Sequence, residues 1–250
     1  MNNNVLVILA SGKSSRFGGY PKAFCQINGK YIVQKTVDLA RTYFTDIYLV
    51  INNEISNEYR NVIKGCKIFS INTGQGDAHS FLRAARLIRA NCSDDRITLC
   101  WGDTLYLNDN IFKKASESFI EQEFVGASLC AIDYEPYAWY EIDDKAIRKA
   151  CFRDRDGIIE KGIHDQSVFV FKHNTICNQL ETYMSFLQID DNEDYINGFI
   201  SKEMKLLDSF SFFYENKMLP MKYSLVESGQ CYSFNTYEEL ENIKKVLTTK

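Results

Sequence analysis

Three cations, Lys13, Arg16 and Lys22, fall within or just past a run of small residues: Ser11, Gly12, Ser14, Ser15, Gly18 and Gly19. A loop of that composition brings backbone N–H groups close to an anion, because no bulky side chain intervenes. An arginine fork and a lysine point charge beside such amides suit a polyphosphate. The bland alternative is a surface loop with solvated charges. What precedes the loop favours the anion. Val5-Leu6-Val7-Ile8-Leu9 has the length and branching of a buried strand and breaks into the loop at Ala10, while Pro21 stiffens the exit.

Two familiar phosphate patterns do not fit. Gly12-Lys13-Ser14 has the ending of a P-loop, but the first glycine of that pattern would fall at Val7. The dinucleotide pattern G-x-G-x-x-G fails at Ser14. What does match is L-A-x-G-x-x-S-R-[FM]-G followed by P-K, through Leu9, Ala10, Gly12, Ser15, Arg16, Phe17, Gly18, Pro21 and Lys22. The segment resembles the nucleotidyltransferases, which pass a nucleoside monophosphate from a triphosphate to a phosphorylated small molecule: the sugar-phosphate, methylerythritol-phosphate and molybdopterin enzymes. The resemblance implies an α/β fold, a three-layer Rossmann-like domain with a mostly parallel mixed sheet. It implies nucleotide contacts from Leu9, Ala10, Ser11, Gly12, Ser14 and Ser15. Arg16, on the β- and γ-phosphates, and Lys22, at the α-phosphorus, become the catalytic cations.

Gly102-Asp103 closes the apolar run Ile97 to Trp101. The carboxyl ends of strands are where open α/β sheets bind ligands, and a carboxylate there can hold Mg²⁺. A Gly-Asp turn is by itself a common strand ending. Leu99 to Leu105 resembles the family's strand-Gly-Asp metal site, which implies Gly102 against the nucleotide and Asp103 on Mg²⁺. Near the end, Tyr232-Ser233-Phe234-Asn235-Thr236 resembles the family segment before its last helix, which implies Asn235 as second metal ligand through its amide oxygen. A capping role for Asn235 and Thr236 is compatible with that.

Between a strand and a helix, Asn72 to Arg83 places glycines at a helix N-terminus, where free N–H groups can read a base edge. Gly76-Asp77-Ala78-His79-Ser80 resembles the G-T-A-H-A base turn, with Asp77 replacing threonine. Gly76 and Ser80 also resemble the G-x-x-x-S spacing of cytidylyltransferases. Both relatives use pyrimidine triphosphates, so the resemblance implies CTP ahead of UTP, contacted by Gly74, Gly76, Asp77 and Ser80. His79 can equally be a plain helix-start histidine.

Gly157 to Lys161 resembles a shortened form of the sugar nucleotidyltransferase run leading into E-K, which implies Glu160 and Lys161 on the acceptor; an isolated E-K pair is otherwise a solvated couple. Tyr137-Ala138 departs from the family's Tyr-Gly. Sugar-1-phosphates, phosphocholine-like alcohols and a phosphorylated glutamine all fit, with surface-glycan or capsule precursors as the setting. A glycosyltransferase using a nucleotide-sugar is the main alternative, but residues 101–104 read W-G-D-T rather than D-x-D. A non-catalytic nucleotide-binding relative is the other.

The elements that must position these residues follow from periodicity. Strands at 47–51, 67–71 and 97–101 alternate with amphipathic helices at 30–44 and 76–90, which predicts a parallel sheet. Strands at 127–132, 139–142, 167–171 and 223–226 and helices at 177–187 and 193–207 follow, with 143–156 an irregular polar stretch, a lid or a subdomain edge. Thr236 and Glu239 form a capping box for a final helix. No linker divides the 250 residues, so one domain is expected, its nucleotide half about 1–110 and its acceptor half about 111–250.

A net charge of −4 gives no global attraction to nucleic acid or an anionic membrane. No apolar run reaches a membrane span, and MNNN begins no signal peptide. The eight cysteines are scattered without a C-x-x-C pair, as in a reduced, cytoplasmic protein.

Overall fold

In the computed structural model the described residues are 5–12, 14, 17–72, 74–89, 96–191, 203–229 and 231–248. The first half runs β1 (Val5–Ala10), a 3₁₀ turn (Lys22–Phe24), the ribbon β2 (Gln26–Ile27) and β3 (Lys30–Tyr31), then α1 (Ile32–Ala40). It continues through β4 (Asp46–Asn52), the single turn α2 (Ser56–Tyr59), β5 (Lys67–Ile71), α3 (Asp77–Arg89), β6 (Arg96–Trp101), β7 (Leu105–Tyr106) and α4 (Asn110–Glu117). The second half contains β8 (Gly126–Tyr134), β9 (Ala138–Asp143), β10 (Ala146–Phe152), the short α5 (Arg153–Asp156), β11 (Lys161–Lys172) and α6 (His173–Phe186). After α7 (Leu206–Glu215) come β12 (Met221–Leu225), β13 (Cys231–Tyr232) and α8 (Tyr237–Thr248).

One nine-stranded sheet takes the order β5-β4-β1-β6-β11-β8-β12-β10-β9. Its first four strands are parallel, as the strand-helix alternation predicts. β11 then runs antiparallel to both β6 and β8, and β12 lies parallel to β8. The sheet is therefore mixed.

Alternate residues of β1 feed two cores, because successive side chains of a strand point to opposite faces. Val5, Val7 and Leu9 pack with Phe81, Leu82 and Ala85 of α3, Leu180 of α6 and Phe210 of α7. Leu6, Ile8 and Ala10 pack with Val33 and Val37 of α1 and Phe112 of α4. Helices thus cover both faces, giving the expected three-layer α/β arrangement, compatible with a Rossmann-like nucleotidyltransferase fold. A third, smaller core positions the loop after β1. It gathers Phe17, Cys25, Ile27, Ile32 and Leu105 with Phe234, Leu240 and Ile243.

Two expectations are corrected. The polar stretch 143–156 is not irregular: it holds the turn of the β9–β10 hairpin, β10 and then α5. Its polarity is that of a strand with one wet face, since Ile147, Ala150 and Cys151 are buried while Arg148 is exposed. The helix read at 193–207 lies outside the described residues over 193–202. Residues 203–205 are not helical, and α7 begins at Leu206, where that reading ends.

Candidate active site

The chain leaves β1 for β4 and β5 on one side of the sheet, then crosses to β6 on the other. That reversal puts a topological switch point between the carboxyl ends of β1 and β6, the place where open α/β sheets bind ligands. The N–H of Gly102 donates to the Leu9 carbonyl at 2.9 Å, tying the two strand ends together. A Cβ at Gly102 would sit 2.8 Å from Ala10 Cβ, so only glycine allows this approach.

Ser14 folds the loop back on itself. At φ +49° its carbonyl accepts the N–H groups of Phe17 (2.8 Å) and Gly19 (3.1 Å), and its Oγ accepts the Lys22 N–H at 3.3 Å. Leu9, Ala10 and Ser11 are buried, while Gly12 is exposed. A Cβ built on Gly12, Gly18 or Gly19 would meet nothing within 4 Å, so the loop faces open space. Lys13, Ser15 and the expected catalytic Arg16 lie outside the described residues. Phe17 anchors its end of the loop, its ring 3.8 Å from that of Tyr237 in a stacked pair and edge-on to Phe234.

Lys22, on the 3₁₀ turn held by buried Ala23 and Phe24, points back to the switch point. Its Nζ lies 2.5 Å from Asp103 Oδ2 and donates to the Phe234 carbonyl at 3.1 Å. Asp103 follows β6, and Phe234 precedes the expected metal ligand Asn235. The segment 231–235 is set by β13 pairing with β7, Tyr232 opposite Leu105, and by the hydroxyls of Thr104 and Ser233 at 3.4 Å. Asn235 is exposed, and its N–H is taken by the Glu239 carboxylate. Glu239 also accepts from Thr236 N–H, and Thr236 Oγ1 accepts from Glu239 N–H, the capping box read from the sequence.

These groups fit a hard cation. Asp103 Oδ2 and the Phe234 carbonyl, both oxygen donors, already converge on one positive charge, the Lys22 ammonium. Mg²⁺ needs one or two such ligands, the rest of its shell coming from phosphate and water. Among the described residues no group of three or more His, Cys, Asp or Glu side chains could hold a metal.

The turn before α3 is packed rather than open. Gly74 is buried, and a Cβ there would lie 2.8 Å from Ser80 Oγ. Ser80 Oγ donates to the Gly76 carbonyl at 3.0 Å. At Gly76, φ +116°, a Cβ would lie 2.3 Å from the Met204 carbonyl. Asp77 Oδ1 accepts the N–H groups of Ala78 and Leu206, each at 2.7 Å. Burial raises the Asp77 carboxyl to about 6 despite those two donors. Met204 and Leu206 were not singled out by sequence reading, and Phe234 was read only as one position of the 232–236 segment, for all three act through backbone atoms and no residue type announces that.

Glu160 and Lys161 stand where β11 projects beyond β6, since Val168 is the residue opposite Cys100. Both are exposed, and Lys161 Nζ lies 5.3 Å from the centre of the Tyr134 ring. Between them and β6, β11 carries the polar run His164, Asp165, Gln166 and Ser167, which sequence reading passed over. Its register slips between Asp165 and Val168 with Ser167 at φ +61°, a bulge of the kind found beside active sites.

Residues 6–155, more than half of the chain, match the model of the MobA-like NTP transferase domain. The chain belongs to that family. The MobA-like match spans β1, the loop, Lys22, α3, Asp103 and the start of the second half. A probable molybdenum cofactor guanylyltransferase of Geobacillus sp. (strain WCH70) is 43% identical over 60 residues, 24% of this chain and 30% of the relative. A 2-C-methyl-D-erythritol 4-phosphate cytidylyltransferase of Thermosipho melanesiensis is 22% identical over 252 residues, covering 99% of this chain and 93% of its own. Its counterpart in Thermosipho africanus is 28% identical over 134 residues, 52% of this chain and 58% of the relative. The chain thus spans less than a third of the first relative and more than nine-tenths of the second. Among the described residues no helix is long and apolar enough to cross a membrane.

Proposed function

We propose that this protein transfers a nucleoside monophosphate, CMP ahead of UMP, from its triphosphate to the phosphate of a small acceptor, releasing pyrophosphate. The observation that carries the reading is the convergence of Lys22, Asp103 and the Phe234 carbonyl at the switch point, under a small-residue loop. The cytidylyl preference rests on the relative aligned along almost the whole chain; the guanylyltransferase likeness is local.

Phosphoryl-group chemistry asks a protein chiefly for positioning and charge neutralisation. A phosphate monoester, with its second pKa at about 6, is largely dianionic at neutral pH and needs no general base. One of its oxygens attacks the α-phosphorus in line, the bond from that phosphorus to the bridging oxygen breaks, and pyrophosphate leaves. Loop amides from Ala10 to Gly19 and Arg16 hold the β- and γ-phosphates. Lys22 neutralises charge at the α-phosphorus. Asp103 and Asn235 would hold Mg²⁺, which supplies charge screening across the phosphates when bound. Glu160 and Lys161 draw in the acceptor.

Pyrophosphate release with Mg²⁺, ATP, GTP, CTP or UTP, and a panel of sugar-1-phosphates, methylerythritol phosphate, phosphocholine and phosphoglutamine tests this. Release with CTP that depends on one acceptor is the expected result. Release with GTP alone would move the base choice to that of the Geobacillus relative, and thermal stabilisation by nucleotide-sugars but by no triphosphate would overturn the reaction class.

A further inference from the structure

The first turn of α3 is clasped from two sides. On one side, the Gln75 carbonyl accepts the Met204 N–H at 2.7 Å and the Met204 carbonyl accepts the Ala78 N–H at 3.1 Å. Asp77 Oδ1 completes this side by taking N–H groups from both α3 and the start of α7. On the other side stands His79, whose side chain is fully buried. Its Nδ1 accepts the Gln75 N–H at 3.0 Å, so the ring proton sits on Nε2, 3.0 Å from Asp191 Oδ1. Asp191 is also ion-paired with Arg83 and Arg86, and Arg86 with Glu181. The peptide groups of Gln75 are therefore held at both ends, N–H by His79 and C=O by Met204.

We propose that Asp77 and His79 are positioning residues for the nucleotide: they preset the Gly74–Gly76 backbone against which the base rests, and the Asp77 carboxylate does not itself read the base. This rests on the nucleotidyltransferase reading above. A turn with two glycines in three residues loses more conformational freedom on ordering than any other. Fixing it before the ligand arrives removes that cost from binding. The carboxylate that replaces the family's threonine bridges the N-termini of α3 and α7, one oxygen accepting an N–H from each. Gly76 belongs to the same device, because the Met204 backbone leaves no room for a side chain there.

The charged and titratable groups around the clasp are Glu203, Lys205 and Tyr183 about Asp77, and Asp191, Arg83 and Arg86 about His79. Asp191 also borders a cleft of about 470 Å³ with Asn53, Asn72, Arg83 and Arg86, so solvent reaches that end. Protonation of the Asp77 carboxyl, near its raised value of about 6, changes the acceptor that holds the Ala78 and Leu206 N–H groups, so the clasp responds to pH in this range.

The test is the dissociation constant of whichever triphosphate, of ATP, GTP, CTP and UTP with Mg²⁺, binds wild type best. Asp77→Ala should weaken it at least tenfold without altering the order of preference among the four. Asp77→Asn, whose amide oxygen still accepts both N–H groups, should recover affinity to within about threefold of wild type. It should also lose part of the weakening that wild type shows between pH 7.5 and 5.5. Asp191→Ala, at a half-exposed position, should weaken binding several-fold. Should Asp77→Ala fail to fold, Asp77→Asn and Asp191→Ala carry the comparison. Wild-type affinity in Asp77→Ala and Asp191→Ala overturns the clasp alone, as does a changed base preference in Asp77→Asn. No binding of any triphosphate by wild type overturns the nucleotidyltransferase reading with it.

Discussion

Lys22 Nζ stands 2.5 Å from Asp103 Oδ2, a lysine at the exit of the first loop paired with the carboxylate that ends β6. The pair is partly buried but within reach of water: the two side chains are 16% and 35% exposed. Pairs in that environment contribute at most about 1 kcal/mol to folding, because water replaces the lost partner. At a transferring phosphorus, by contrast, a preorganised charge is worth on the order of 10²–10³ in rate. Lys22→Ala should accordingly keep its circular dichroism and melting temperature while turnover falls by about that factor. Wild-type turnover in a cleanly folded variant would remove Lys22 from the mechanism.

Asp103 separates charge from shape. Asp103→Asn keeps the side-chain outline but offers a cation only a neutral amide oxygen. The Mg²⁺ concentration for half-maximal rate should rise more than tenfold, and Mn²⁺ binding followed by electron paramagnetic resonance in the presence of CTP should weaken in parallel. An unchanged metal dependence would place the ion elsewhere.

How much of this was readable beforehand depends on whether a feature is local. Val5 to Phe24 announced a strand, a loop and cations, and Gly102-Asp103 announced a strand end. Each signal is carried by residue type within a few positions. The Thr236–Glu239 box likewise appears as two reciprocal bonds. What did not show were contacts made by backbone atoms far along the chain: the Phe234 carbonyl on Lys22, and Met204 filling the space above Gly76. β10 hid because its exposed face is charged, and α7 because Phe210, Phe212 and Phe213 blur its apolar stripe. The acceptor side stays the least legible, since Glu160 and Lys161 are exposed at a projecting strand end.

The glycines divide by what a methyl group would meet. Gly76→Ala drives a Cβ to 2.3 Å from the Met204 carbonyl at φ +116°, a clash with backbone that no rotamer relieves. Overpacking of that kind costs about 1–3 kcal/mol or more, and the positive φ adds strain. Gly12→Ala meets nothing within 4 Å and has no such φ. The urea midpoint of Gly76→Ala should fall clearly, while that of Gly12→Ala should match wild type and only its triphosphate affinity should drop. Equal midpoints for the two variants would contradict the packing at Met204.

Acid stability turns on His79. Burial holds its imidazole below the ordinary value of 6.5, against the pull of Asp191 in the other direction. The unfolded chain therefore binds a proton at a pH where the folded protein refuses it. Between about 6.5 and the lowered folded value, stability must rise with pH and fall on acidification, by at most ~1.4 kcal/mol per pH unit for one group. Asp77 acts oppositely. Its folded value, raised to about 6, lets the folded state take a proton first, so acidification from about 6 towards the ordinary 3.8 adds stability. Wild type should show a lower urea midpoint at pH 5.5 than at 7.5. His79→Gln should flatten that fall, and Asp77→Asn should steepen it at lower pH by removing the offset. If His79→Gln loses as much stability on acidification as wild type does, the acid sensitivity resides in other groups.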